Sequence, residues 1–221
     1  MVYEQIAARR TIRKYEQRNV PEEALIRCVD AARLSPSAAN LQPLKYVIVN
    51  DENLLKPVFG TLSWAGYLPN YQPSLEETPR AYIVMLLDKE IRKNAGEDAG
   101  IAAMSISMVA YDEGLGSCIL GAVDRERLRE VLSVPDELDI VLVVSLGYPA
   151  ESPIDRSFRK SGTQCPLFLK QTRPFAPPNA KKTSSSPSSS SKSSRTSLGT
   201  VTLKSRPTLV VARIAISHHT K

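Results

Sequence analysis

Apolar and polar positions follow two rhythms along the first two thirds of the chain. From Pro21 to Arg33, Leu25, Ile26, Val29 and Ala32 recur at helical spacing behind a proline in the first turn, which predicts a helix. Val2 to Arg10 and Asn53 to Phe59 read as shorter helices. Asp98 to Glu113 is apolar around most of its circumference, with Ala99, Ala102, Ala103, Ile106, Met108 and Val109. Such a helix belongs deep in a core or at a contact between subunits, and Gly114 and Gly116 close it. Asp124 is placed to cap a further helix reaching Leu132. Strands are predicted at Tyr46 to Val49, Ala81 to Leu87, Ser117 to Leu120 and Ile140 to Leu146. The second is nearly all apolar, and so is expected to be buried on both faces. Gly60 to Pro79 is irregular and carries Trp64, Tyr67 and Tyr71. An irregular stretch of that length in a compact domain tends to be functional or mobile.

The character changes after Pro149. Ser184 to Ser194 is almost all serine, which cannot bury enough apolar surface to offset its ordering entropy, so disorder is expected there. Thr208 to Ile216 is strand-like again. The chain thus divides into a body, 1–153, and a tail, 154–221. Charge sharpens the division. All 23 acidic residues precede Arg156, together with 16 of the 29 lysines and arginines, so residues 1–155 have a balance of −7. The last 66 residues hold 13 lysines and arginines and no carboxylate, and the whole-chain figure of +6 describes neither part.

Composition removes several function classes. The two histidines, His218 and His219, are adjacent near the end of the chain. That leaves no core histidine for acid–base catalysis or a hydrolase triad, and excludes most zinc sites. Cys28, Cys118 and Cys165 show no CxxC pairing and read as reduced thiols of a cytoplasmic protein. The longest apolar runs are about seven residues where a membrane span needs roughly 20. Met1 to Arg10 lacks the apolar region of a signal peptide.

Three segments carry candidate chemistry. Arg9, Arg10, Thr11 and Arg13 place three guanidiniums and a hydroxyl within five residues, a set suited to a phosphate monoester; a solvated basic face is the plainer reading. Ser35-Pro36-Ser37-Ala38-Ala39-Asn40-Leu41-Gln42-Pro43 joins a helix to a strand and could present donors and acceptors to a heterocycle edge. Taken on spacing alone it is equally a turn-rich connector. Gly114 to Ala122 surrounds a buried strand with glycines, and Gly121 would let a ligand ring approach the backbone. No GxGxxG phosphate loop is present.

In this order and at these separations, the three segments resemble the nitroreductase family of flavoproteins. ARRTIRKY resembles the opening of that family, SPSAANLQPLKYVIV its second segment, and DAGIAAMSISMVAYDEGLGSCILGAVDRERLREVL with VLVVSLGYP its central helix, flavin strand and closing strand. The resemblance covers Val2 to Pro149. Thr11 stands where serine is usual, and Leu44 where an aromatic is commoner.

The resemblance implies an α+β fold, a central mostly antiparallel sheet flanked by helices, in a homodimer with FMN at the interface. Arg9, Arg10, Thr11 and Arg13 would then hold the phosphate, ribityl chain and part of the ring edge, with Arg10 near the N1–C2=O edge. Ser35, Pro36, Ser37, Asn40 and Gln42 would belong to the flavin site of the partner subunit. Leu120 and Gly121 would lie against the ring near N5, and Trp64 to Tyr71 would border the substrate pocket. The flavin carries the redox chemistry, so no catalytic side chain is expected. NAD(P)H would reduce FMN and leave before a small acceptor such as a nitroaromatic or quinone takes the electrons, in a ping-pong cycle. Reductive dehalogenation or flavin destruction, and a flavin sensor or store without turnover, are the alternatives.

Three readings of the tail stay open. Gly199 to Val211 faintly echoes the family's ending, which would make Lys204 and Arg206 phosphate contacts and Thr208 to Ile216 an arm exchanged with the partner. The tail would otherwise be a frame-shifted end, or a basic extension meeting an anionic partner. Without regular interleaving of aromatic and basic residues, nucleic-acid binding is disfavoured.

Overall fold

The computed structural model describes residues 2–66, 71–153, 199–200 and 210–213, the last two for their backbone only. Five helices and six strands follow in the order α1 (Val2–Ala8), α2 (Glu22–Arg33), β1 (Leu44–Val49), α3 (Glu52–Phe59), β2 (Ala81–Asp88), α4 (Asp98–Asp112), β3 (Gly116–Leu120), α5 (Arg125–Leu132), β4 (Leu138–Gly147), β5 (Gly199–Thr200) and β6 (Val210–Arg213). The strands form one sheet in the order β3-β4-β2-β1-β6-β5, and every adjacent pair is antiparallel. The α+β fold with an antiparallel sheet at its centre is therefore the observed architecture.

Two helices start on a side-chain cap. Asp51 accepts the Asn53 amide at 2.8 Å to cap α3, and Asp124 accepts the Arg127 amide at 3.1 Å to cap α5. Strand β2 is buried at every position but its last, as its apolar run requires. The sheet separates two apolar layers. One packs Leu25, Cys28 and Val29 of α2 and Ala103, Ile106 and Ala110 of α4 against Tyr46, Ile83 and Val144. The other packs Val58, Phe59 and Leu128 against Val47, Val84 and Val143. Side chains of β2 alternate between the layers, Ile83 and Met85 to one, Tyr82 and Val84 to the other.

Helix α4 buries only one side. Ala99, Ala102, Ala103, Ile106 and Ala110 face the sheet, while Ile101 stays 40% exposed and Met104 and Met108 half-buried. These residues join Ala31, Leu34 and Pro36 in a shallow apolar groove between α2 and α4. Strand β4 is longer than its apolar run predicts and contains a bulge. Met85 pairs with Leu142 and Leu86 with Ile140, so Val141 is the extra residue.

The tail is mostly outside the described residues, including Lys204, Arg206, Cys165 and both histidines. Within the stretch expected as an exchanged arm, Val210 and Val211 pair with Ile48 and Val47 on the edge of this chain's own sheet.

Candidate functional site

The basic segment lies along β3. Helix α1 ends at Ala8 rather than Arg10 because the chain turns there toward the sheet. Thr11 forms a parallel bridge with Ser117, and the Ile12 amide donates to the Ser117 carbonyl at 3.0 Å. Tyr15 is fully buried, and its hydroxyl donates to Ile12 O at 2.6 Å and lies 2.9 Å from Ser145 Oγ. Burial holds this phenol well above its ordinary pKa. With Ile12 and Tyr15 turned inward, Arg9, Arg10, Thr11 and Arg13 are left half-buried.

The arginines differ in what surrounds them. Arg9 Nε is buried with no hydrogen-bond partner, and burial, then repulsion from Arg10, lowers its pKa. A desolvated guanidinium with an unused donor suits an anion. Arg10 folds back onto the end of α1, its Nη1 donating to Ala7 O at 2.5 Å and Arg9 O at 2.8 Å. The Arg13 and Lys14 amides both donate to Glu151 Oε1, at 2.5 and 3.2 Å, and Lys14 Nζ lies 2.9 Å from Glu77 Oε2. Glu151 and Glu77 thus set the path of this segment.

The loop after α2 is tied to the first turn of α4. Asp98, 3% exposed, accepts Ser37 Oγ at 2.6 Å and the Ala38 amide at 3.0 Å, with Arg92 Nη1 at 3.7 Å. Burial raises the pKa of this carboxyl, but the two hydrogen bonds and Arg92 outweigh it and leave the pKa below its ordinary value. Ser37 Oγ also accepts the Gln42 amide at 3.0 Å, and Ser35 Oγ lies 2.6 Å from Ser105 Oγ. Both hydroxyls therefore brace the loop itself. Ala39, Asn40 and Gln42 sit at φ of 51°, 54° and 52°, a conformation that costs roughly 1–3 kcal/mol at a non-glycine residue and needs such bracing. Pro36 and Asn40 are exposed and Gln42 half-buried.

At the far end of β3, Leu120 is buried and Gly121 exposed. A Cβ built on Gly121 would meet only Leu142 Cδ2, at 3.7 Å, so a planar ring could approach this backbone. Leu62 bridges Val123, and the Ser63 amide donates to Ala122 O at 3.0 Å. The irregular stretch after α3 therefore begins beside Gly121. Farther along it, Tyr71 lies near Glu151, Lys14 and Arg13; burial, then Glu151, raises its phenol's pKa. Residues 67–70 lie outside the described residues. Trp64 is 4% exposed and packs on Phe59 with ring centroids 5.6 Å apart.

Sequence reasoning finds the three segments but misses what holds them. Asp98 reads only as a helix start, and neither Tyr15 nor Glu151 is singled out by the sequence. Their partners lie 61, 130 and 138 residues away. An orphaned guanidinium nitrogen and an open glycine backbone fit FMN, with its anionic phosphate and planar ring. Among the described residues, no group of three or more His, Cys, Asp or Glu could hold a metal, and no helix is long and apolar enough to cross a membrane.

Comparison with known proteins bears on the family and the fold. The model of the nitroreductase family matches residues 6–148. A protein of Methanothermobacter thermautotrophicus, provisionally named NADH dehydrogenase/NAD(P)H nitroreductase, is 33% identical over 159 residues, covering 69% of this chain and 79% of its own length. An iodotyrosine deiodinase of Thermotoga neapolitana is 24% identical over 167 residues, covering 67% and 89%. A solved FMN-dependent nitroreductase of Clostridium difficile superposes with a TM-score of 0.58 at 27% identity, covering 74% of this chain and 98% of its own. This chain belongs to the nitroreductase family.

Proposed function

We propose that the chain works as a homodimeric FMN enzyme that oxidises NAD(P)H and reduces small acceptors such as nitroaromatics or quinones in a ping-pong cycle. The family is one of FMN-dependent NAD(P)H oxidoreductases, and the chain is one of them. Bound FMN supplies the hydride chemistry. The protein's part is to bind, orient and shield.

One observation carries the dimeric reading. Gln5 of α1 donates to Asp112 Oδ1 at 3.1 Å, so the basic segment starts at the C-terminal end of α4. The Ser35–Gln42 loop is fixed to Asp98, at its N-terminal end. A 15-residue helix separates them by roughly 20 Å. A site that uses both is most simply built from two copies, the arginines of one and the loop of the other. The apolar groove with Ile101, Met104, Met108 and Leu34, and the exposed Val2, Tyr3 and Ile6 of α1, supply surface for a second copy to cover.

On this reading Arg9 takes the phosphate, with Arg13 and Thr11 along the ribityl chain. Arg10 stays at the end of α1 and contributes positive charge to the reduced ring. Leu120 and Gly121 line one edge of the flavin. Pro36, Asn40 and Gln42 reach it from the partner subunit, while Ser35 and Ser37 brace the loop. The relationship to a deiodinase keeps reductive dehalogenation as a second reading.

The test is the visible spectrum of the purified protein under anaerobic conditions, with its mass in solution. Flavin absorption that bleaches on adding NADPH or NADH, in a dimer, is the expected result. Flavin that resists both donors favours a sensor or store. No flavin after incubation with FMN overturns the reading. Release of iodide from iodotyrosine with no turnover of nitroaromatics or quinones would move the chain to the second reading.

A further inference from the structure

We propose that Arg125 is a positioning residue for the flavin, holding the Gly121 peptide segment in place by binding four main-chain carbonyls at once. The inference rests on the FMN reading above and goes beyond it, because Arg125 lies on α5, outside the segments assigned to the flavin.

The geometry begins with the bulge in β4. Strand β3 ends where Leu120 pairs with Val143, so β4 has no β3 partner before that point. There the bulge at Val141 shifts the register with β2. A bulge next to a vacated edge leaves carbonyls with no ladder donor. Arg125 supplies the donors. Its Nε lies 3.0 Å from Ile140 O and its Nη2 3.3 Å from Val141 O. The opposite side of the same guanidinium reaches the departing chain, Nη2 at 3.3 Å from Gly121 O and Nη1 at 3.4 Å from Val123 O. One planar fork thus stands where the next strand residues would stand, and ties the exit of β3 to the bulge.

The other flank of this segment is held by main chain alone, through the Ser63 amide to Ala122 O and the Asp124 amide to Thr61 O at 2.8 Å. Residues 121–124 are clasped from two sides, and the Arg125 side is the one that touches Gly121. A lysine cannot make this contact, because an ammonium is a point donor that does not span four carbonyls in one plane. Arg125 also leaves its charge beside the ring edge, where it favours the reduced, more anionic flavin.

The test compares Arg125→Lys and Arg125→Gln with the wild type by FMN titration and by midpoint potential. Both variants should bind FMN about tenfold more weakly. The glutamine variant should also show a lower midpoint potential, and the lysine variant should recover the potential without recovering the affinity. A tenfold change in the ratio of oxidised- to reduced-flavin affinity reads as about 30 mV for this two-electron couple. Variants that match the wild type in both affinity and potential, whatever their melting temperatures, overturn the proposal and leave the FMN reading standing. Failure of the wild type itself to bind FMN overturns both.

Discussion

Gly116 and Gly147 stand opposite each other across the β3–β4 ladder, and each is covered by one side chain of the same segment, Ile12 over the first and Tyr15 over the second. The two glycines let the basic segment lie flat on the sheet. A Cβ at Gly116 would come within 2.6 Å of Ile12 Cγ1, and one at Gly147 within 2.8 Å of Tyr15 Cδ1.

Alanine at either glycine should therefore lift the segment. Gly116→Ala and Gly147→Ala are each expected to lower stability by about 1–3 kcal/mol through overpacking. Denaturant titration measures this, and FMN affinity should fall with it. A variant as stable as the wild type would mean the segment can shift without cost.

The hydroxyl of Tyr15 is the next point of attachment. Tyr15→Phe keeps the ring and leaves Ile12 O and Ser145 Oγ short of a buried partner, which should cost about 1–3 kcal/mol. Amide exchange at Ile12 should speed up, and unchanged protection there would show that the backbone bond to Ser117 suffices alone.

Arg9 offers a direct test of the phosphate assignment. A charge-assisted hydrogen bond contributes about 1.5–3 kcal/mol, so Arg9→Ala should weaken FMN roughly tenfold to a hundredfold. Riboflavin, which lacks the phosphate, should bind wild type and variant alike. Equal loss for both ligands would place Arg9 elsewhere on the flavin.

Asp98 should matter to the loop more than to the helix it begins. Asp98→Ala removes the acceptor for Ser37 and Ala38. It should cost about 1–3 kcal/mol, with helical circular dichroism retained and FMN affinity reduced. Full affinity in this variant would mean that the loop keeps its left-handed residues without help.

Alkaline pH should expose the buried thiols. Burial pushes Cys28 up to about 12 and Cys118 up to about 11, from an ordinary 9.0. A raised folded-state pKa contributes stability fully present below the unfolded value and lost as pH rises toward the folded one. The melting temperature should fall as pH rises above about 9, before buried tyrosines add their part. Cys118→Ala, though less stable at neutral pH, should lose less across that interval.

The sequence by itself determined the elements and the three candidate segments. Helical spacing in α2, the unbroken apolar run of β2 and the acidic caps of α3 and α5 are local properties, set by residues a few positions apart. The family was legible for the same reason, since its motifs are short runs in a set order. Only the tertiary structure decided what those motifs touch within the chain. Ser35 and Ser37 read as flavin-site residues, and the structure adds that Ser105 and Asp98 meet them from a distant helix. Trp64 read as a border of the substrate pocket, and its packing on Phe59 appears only in the folded chain. Arg125 carried no signal, because its four acceptors are main-chain carbonyls exposed by a bulge that forms only when β4 pairs with β2. Spacing along a chain records periodicity and order. It does not record which distant backbone atoms lack a partner, and that shortage decides where such side chains bind.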